Sequence, residues 1–393
     1  MPHDTKITLY YGPLNWFQQR LTRKARRSLM EVVFEFEDTR REIRVVTPGQ
    51  EVTDKQEETK LPRPGRVVAE SGDYASLNEH VVTNFVGLVR SLRPKHLYLH
   101  NPPVQVHAQL ERAFPNIRVE RHVYPAVTPE TLIRFQNGFG DHLVGQEDVR
   151  DALLAAVYPL TRPGSAKPVV VMFYGPSGVG KTETARFIND LLGGRLLRKQ
   201  FSMFHSDKFA SYVFGGHHSE ASFARDLLDR ESGVILIDEF DKANAVFHSA
   251  FYELFDGGVF EDKNYRVEVG PALIVCTSNY SSEKEIRDAL GDALYSRFDA
   301  LIGFEPLTSE QIVKVLDRVL DDRFARLSEE ELTRIDREGV GTRLAPLANQ
   351  PGNVRKLTKL VDGVISLLLV RSMLEEQAAG VSEMGPLAAT SEE

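Results

Sequence analysis

The stretch Gly175-Pro-Ser-Gly-Val-Gly-Lys181-Thr182 constrains this chain more than any other. It satisfies G-x-x-x-x-G-K-[ST] at every fixed position and follows the apolar run Val169-Val-Val-Met-Phe-Tyr174. That run, bounded by Pro168 and the glycines, predicts a buried parallel strand. Glu183 to Leu192 has helical apolar spacing and no internal Gly or Pro, so a helix is expected next. In such a strand–loop–helix unit, Gly175, Pro176, Ser177, Gly178, Val179 and Gly180 form a loop whose glycines take shapes other residues resist. Its N–H groups then converge on phosphate oxygens at a helix N-terminus. Lys181 is expected at the β- and γ-phosphates, and the Thr182 hydroxyl on Mg²⁺. The bland alternative is a glycine-rich turn with a chance Lys-Thr, and the flanking strand and helix argue against it. The chain is expected to bind a nucleoside triphosphate.

The 393 residues suggest two or three domains with room for a proper core. A formal net charge of −8 argues against a protein that coats nucleic acid. The lone cysteine, Cys276, lies in the apolar run Ala272-Leu-Ile-Val-Cys276, which predicts a buried structural thiol and no internal disulfide. No run reaches bilayer-spanning length and the N-terminus has no apolar leader pattern, so a cytoplasmic protein without membrane contact is expected.

Residues 1–140 read as a separate small α/β domain for recognition or targeting. Ile7 to Tyr11 suggests a first strand, and Val32-Val-Phe-Glu-Phe36 with Ile43-Arg-Val-Val46 a hairpin. Arg20, Arg23, Lys24, Arg26 and Arg27 make either an acid-binding patch or a solvated helix face. Thr47 to Pro64 has loop composition. Leu77 to Leu92 and Val104 to Phe114 are helix candidates, alternating with strands at Lys95–Leu99 and Ile117–Val123. A helix from Thr128 to Phe135 and the glycines of Asn137-Gly-Phe-Gly140 mark a boundary.

Beyond the phosphate loop, Val234-Ile-Leu-Ile-Asp238-Glu239 is a buried strand ending in two carboxylates. Asp238 is expected in the Mg²⁺ shell, and Glu239 is placed to polarise an attacking water. Leu273-Ile-Val-Cys-Thr-Ser-Asn279 delivers an amide suited to sensing a γ-phosphate.

His142-Leu-Val-Gly-Gln146, the phosphate loop, Ile235 to Ala243 and Cys276-Thr-Ser-Asn279 occur in an order that resembles AAA+ ATPases of the Clp type. The similarity covers residues 140 to 375 and points to the second ATPase ring of ClpB disaggregases, with torsins more distant. It implies an AAA+ P-loop parallel sheet over 141–305, a helical lid over 306–375 and a flexible tail over 376–393. It implies ATP and Mg²⁺ as ligands, with Val144 and Gly145 beside the nucleotide. Leu294-Tyr-Ser-Arg297-Phe-Asp299 resembles the family's arginine-finger box, so Arg297 maps to a group offered to a neighbouring subunit. Pro351-Gly-Asn-Val-Arg355 resembles a lid motif that aims Arg355 at the phosphates. A finger supplied in trans implies a homo-oligomer, a hexameric ring. Tyr212-Val213, ahead of Gly215-Gly216, resembles the aromatic pore loop of Clp-type motors, with a buried aromatic as the alternative. The implied activity is ATP hydrolysis coupled to remodelling of a protein client. A switch or loader acting with nucleic acid is the second reading, which the acidic charge disfavours. The single module and the lack of a long coiled-coil insertion depart from two-ring disaggregases.

Overall fold

The computed structural model describes residues 5–21, 26–42, 63–203, 206–348 and 354–383, which form two parallel sheets and a helical lid. The first sheet runs β2-β3-β4-β1-β5, from β1 (Lys6–Tyr11), β2 (Arg27–Ser28), β3 (Arg66–Ala69), β4 (His96–His100) and β5 (Arg118–Arg121). β1 sits inside it, pairing Leu9 with Leu99 on one side and with Val119 on the other. The strands at β4 and β5 and the helix Val104–Ala113 fall where the apolar spacing predicts them.

Elsewhere in this half the structure departs from the sequence reading. Val32 to Phe36 is not a hairpin strand but part of the helix Leu29–Glu42. Leu29, Val32, Val33 and Phe36 recur at i, i+3, i+4 and i+7, and the first three are buried. The run is therefore amphipathic with helical period, which outweighs its β-branched composition. The partner strand Ile43–Val46 and most of the Thr47–Pro64 loop lie outside the described residues. Arg20 ends the helix Leu14–Arg20 whereas Arg27 lies on β2, so the basic cluster is not one helix face. Arg23 and Lys24 lie outside the described residues. Leu77–Leu92 divides into helices Glu79–Thr83 and Phe85–Leu92, because the Asn84 side chain caps the second by accepting from Gly87 N at 3.2 Å.

The expected boundary near Gly140 is instead the interior of one helix, Pro129–His142. Thr128 and Thr131 close a capping box at its start, and Phe135 and Phe139 are buried along it. Gly138 lets this helix approach its neighbour: a Cβ there would lie 2.9 Å from the Phe187 ring.

The second sheet runs β12-β6-β11-β8-β7, all parallel, from β6 (Val169–Tyr174), β7 (Leu197–Gln200), β8 (Val234–Asp238), β11 (Leu273–Thr277) and β12 (Ala300–Gly303). A hairpin of β9 (Val259–Glu261) and β10 (Arg266–Glu268) stands apart. Val275 on β11 pairs with Val171 and with Leu236, and β8 and β11 are buried along their whole length. Coverage on both faces explains why these strands read as unbroken apolar runs. Cys276 is buried among them, and burial pushes its thiol well up.

The two sheets are not freestanding. One apolar core runs from Leu9, Tyr74 and Phe85 of the first half to Phe223, Phe251 and Tyr265 of the second. Polar contacts cross the same junction: Arg225 donates to Ser71 O at 3.0 Å, and Asp229 accepts from Leu14 N at 2.9 Å.

The lid comprises helices Ser309–Phe324, Glu329–Arg334, Arg337–Ala348 and Val354–Glu383. It has its own core around Leu316, Leu320, Leu344 and Val361. Thr308 and Gln311 form the capping box that starts it. The last helix extends to Glu383, into the segment expected to be a tail, since Glu-Glu-Gln-Ala-Ala favours helix.

Candidate nucleotide-binding site

β6 ends at Tyr174 and the helix Lys181–Leu192 begins six residues after Gly175, so the intervening loop wraps the helix N-terminus. Gly175 (φ 126°) and Gly180 (φ 111°) both have backbone shapes that side chains resist. A Cβ on Gly175 would lie 2.3 Å from Phe304 O, and one on Gly180 would lie 2.5 Å from Leu143. These glycines therefore let the loop seat against β12 on one side and the chain before the first nucleotide-module helix on the other. Lys181 is buried, and its Nζ donates to Gly175 O at 2.5 Å, Pro176 O at 2.8 Å and Asn279 Oδ1 at 3.3 Å. Burial lowers its pKa to about 8, against the opposing pull of Asp238 and Asp241.

Asp238 ends β8 and is buried. Its Oδ1 accepts a hydrogen bond from the Thr277 hydroxyl on β11, and its Oδ2 lies 3.5 Å from Thr182 Oγ1. Glu239, the next residue, is in the left-handed region at φ 55°, ψ 47°. Such strain in a residue with a side chain persists only where surrounding contacts hold it. Here Glu239 N donates to Thr277 Oγ1 at 2.9 Å, and Gln200 Nε2 donates to Glu239 Oε2 at 3.1 Å. The kink separates two adjacent carboxylates into two directions.

Asn279 follows β11 and reaches Lys181, so β6, β8 and β11 deliver their site residues to one carboxyl edge of the sheet, as an open α/β architecture requires. The lid closes on the same edge. Val354 N donates to Gly178 O at 3.2 Å, placing the start of the last helix, with Arg355 as its second residue, against the phosphate loop. Residues 349–353 of that motif lie outside the described residues. Val144 packs against the lid core, and Gly145 (φ 71°) lies where a Cβ would meet the Gln311 side chain at 2.2 Å. Arg297 follows the helix Glu283–Tyr295 and pairs with Asp256 at 2.8 Å, over the Tyr252 ring at 4.4 Å. Asp299 is engaged elsewhere, accepting from Val170 N at 2.7 Å. Among the described residues no hydrogen bond or ion pair joins Arg297 to Lys181, Asp238 or Glu239.

Tyr212 and Val213 do not form the loop that their resemblance implies. They lie inside the helix Ser206–Phe214, not on a loop, and both are buried. The Tyr212 hydroxyl donates to Asp226 at 2.5 Å, and its ring faces Phe223 at 6.1 Å between centroids. The aromatic presented to solvent here is Phe214, 44% exposed and followed by Gly215 at φ 81°. Ile302-Gly-Phe304 lies at β12, where Phe304 packs on Phe173 at 5.1 Å.

The residues fit a magnesium nucleotide. Among the described residues no group of three or more His, Cys, Asp or Glu could hold a metal alone. Thr182 and Asp238 offer two oxygens on one side, which suits a cation completed by phosphate and water. Two contributors carry no signal in the sequence, Arg198 and Gln200 on β7, whereas Thr277, expected beside Asn279 as its support, grips both Asp238 and the Glu239 backbone. Thr277 belongs to the motif Cys276-Thr-Ser-Asn279, but Arg198 and Gln200 lie on a short polar strand with no pattern of its own. Only sheet pairing, Gln200 opposite Asp238, brings them in.

Residues 166–336 match the family model described as an AAA domain of the Cdc48 subfamily. The chaperone protein ClpB of Chlamydia pneumoniae is 29% identical over 225 residues, 48% of this chain and 26% of that protein. ClpB of Chlamydia caviae is 25% identical over 285 residues, 63% of this chain and 33% of its own length. The chain thus spans no more than about a third of these relatives. Among solved structures, a closed-state reconstruction of Hsp104 with ATPγS and FITC casein aligns with a TM-score of 0.52 at 15% identity. That alignment covers 94% of this chain and 89% of the other. The S. cerevisiae Hsp104–ADP complex aligns with a TM-score of 0.50 at 21% identity, covering 64% of this chain and 41% of the other. In fold and in the order of its motifs the chain is thus similar to AAA+ proteins of the Clp type, ClpB among them, with residues 166–336 matching the AAA domain itself.

Proposed function

We propose that this chain hydrolyses ATP with Mg²⁺ and uses the cycle, within a ring of like subunits, to remodel a protein client. The observation that carries the reading is the convergence of Lys181, Asn279, Thr182, Asp238 and Glu239 at one sheet edge under the start of the last lid helix. Lys181 and the glycine loop bind the triphosphate. Thr182 and Asp238 are the residues to hold Mg²⁺, which when bound offsets phosphate charge. Glu239 orients and polarises the attacking water, and Asn279 lies where it can contact the γ-phosphate. Arg355 approaches from the lid, and Arg297 is the group a neighbouring subunit would receive. ATP-dependent work on protein is supported by the likeness to proteins named chaperone protein ClpB.

Phosphate release and nucleotide binding, measured side by side, test the assignment. Lys181→Ala is expected to abolish both. Glu239→Gln is expected to keep nucleotide bound while turnover falls by about two orders of magnitude or more. Near wild-type turnover in Glu239→Gln would sink the carboxylate assignment.

A further inference from the structure

We infer that Arg198 is a positioning residue that competes with the divalent cation for Asp238, an inference that rests on the nucleotide-binding role proposed above. β7 is the edge strand of the nucleotide sheet, and its successive side chains point to opposite faces. Lys199 turns to Asp226 at 2.6 Å. Arg198 turns the other way and donates to Asp238 Oδ2 from both Nε, at 3.0 Å, and Nη2, at 2.5 Å.

The choice of oxygen matters. Thr277 occupies Oδ1, so Oδ2 is the oxygen facing Thr182. A cation shared between Thr182 and Asp238 needs that same oxygen. Arg198 therefore covers the position the metal must take, with a full positive charge that also repels it. Metal binding requires the guanidinium to withdraw.

The structure offers it a place to go. The Arg198 side chain is 36% exposed and also forms part of the wall of a cleft of about 260 Å³. Its lining is mixed in charge, with Arg195, Lys199 and Arg230 beside Asp226, Asp229 and Glu231. A guanidinium rotated off Asp238 moves from this half-exposed position toward solvent.

The test is a Mg²⁺ titration of nucleotide-loaded protein, read by calorimetry or by the fluorescence of a bound nucleotide analogue, not by turnover. Removing the competitor in Arg198→Ala is expected to lower the Mg²⁺ half-saturation by about three- to tenfold. Arg198→Gln, neutral and polar, is expected to act in the same direction and serves if the alanine variant does not fold. Arg198→Lys keeps the charge and is expected to stay near wild type. An unchanged or raised Mg²⁺ half-saturation in both neutral variants, with nucleotide still bound in EDTA, overturns the role of Arg198 alone. Wild-type protein that binds no nucleotide in either EDTA or Mg²⁺ overturns the nucleotide reading beneath it.

Discussion

Lys181 shows how burial and function pull on one group. Its ammonium is buried among loop carbonyls and Asn279, and desolvation brings its pKa to about 8. Bound phosphates would favour the charged form and raise that value again. Nucleotide binding should therefore take up a proton where the free protein has begun to lose it. With the free-state pKa lowered and the bound-state pKa raised, affinity should be flat below pH about 8. Above it, affinity should fall by up to about tenfold per pH unit, until the bound-state pKa is reached. Nucleotide affinity measured between pH of about 7 and about 9.5, on a non-hydrolysable analogue, checks this. A flat profile across that span would mean the ammonium stays charged in the free protein. Glu239 has a left-handed backbone that its residue type does not announce, and Thr277 from the neighbouring strand holds it.

At the level of elements, the helix Ser206–Phe214 decides what its aromatics can do. Tyr212 faces inward, so Tyr212→Ala should cost about 3–5 kcal/mol of stability by leaving a cavity. Tyr212→Phe should cost only about 1 kcal/mol, the hydrogen bond to Asp226. Phe214 faces outward, so Phe214→Ala should change the melting temperature little while reducing stimulation of ATP turnover by an unfolded protein client. Melting curves of the three variants, with turnover measured with and without client, separate these outcomes. A stable Tyr212→Ala with lost client response would restore Tyr212 as the gripping residue.

For the whole molecule, the shared core makes the N-terminal sheet a structural partner of the nucleotide module. Arg297 poses the question of assembly. Its guanidinium rests on Asp256 and Tyr252, and a finger role requires it to act on a neighbour's nucleotide. Homogeneous Arg297→Ala protein should bind nucleotide and turn it over poorly. Mixing it with Lys181→Ala subunits should restore part of the activity, because the latter lend an intact arginine to sites that keep their lysine. Absence of rescue, once co-assembly is shown by native mass spectrometry, would count against a shared site.

The strands of the second sheet are written in local pattern: strands buried on both faces leave apolar runs, and the loop and carboxylate motifs sit at their ends. β6, β8 and β11 were legible for that reason, as was the meeting of Lys181 with Asn279 and of Thr182 with Asp238 at their ends. Local pattern was misleading where a short run fits two periods, as in Val32–Phe36, or where a glycine serves close packing, as Gly138 does against Phe187. The side on which Tyr212 lies, the bridging role of Thr277, the contacts of Arg198 and Gln200 with the two carboxylates, and the common core of the two sheets were decided only by tertiary structure. Each depends on residues far apart in the chain, and hydrogen bonding or burial between distant segments leaves no periodicity in either one.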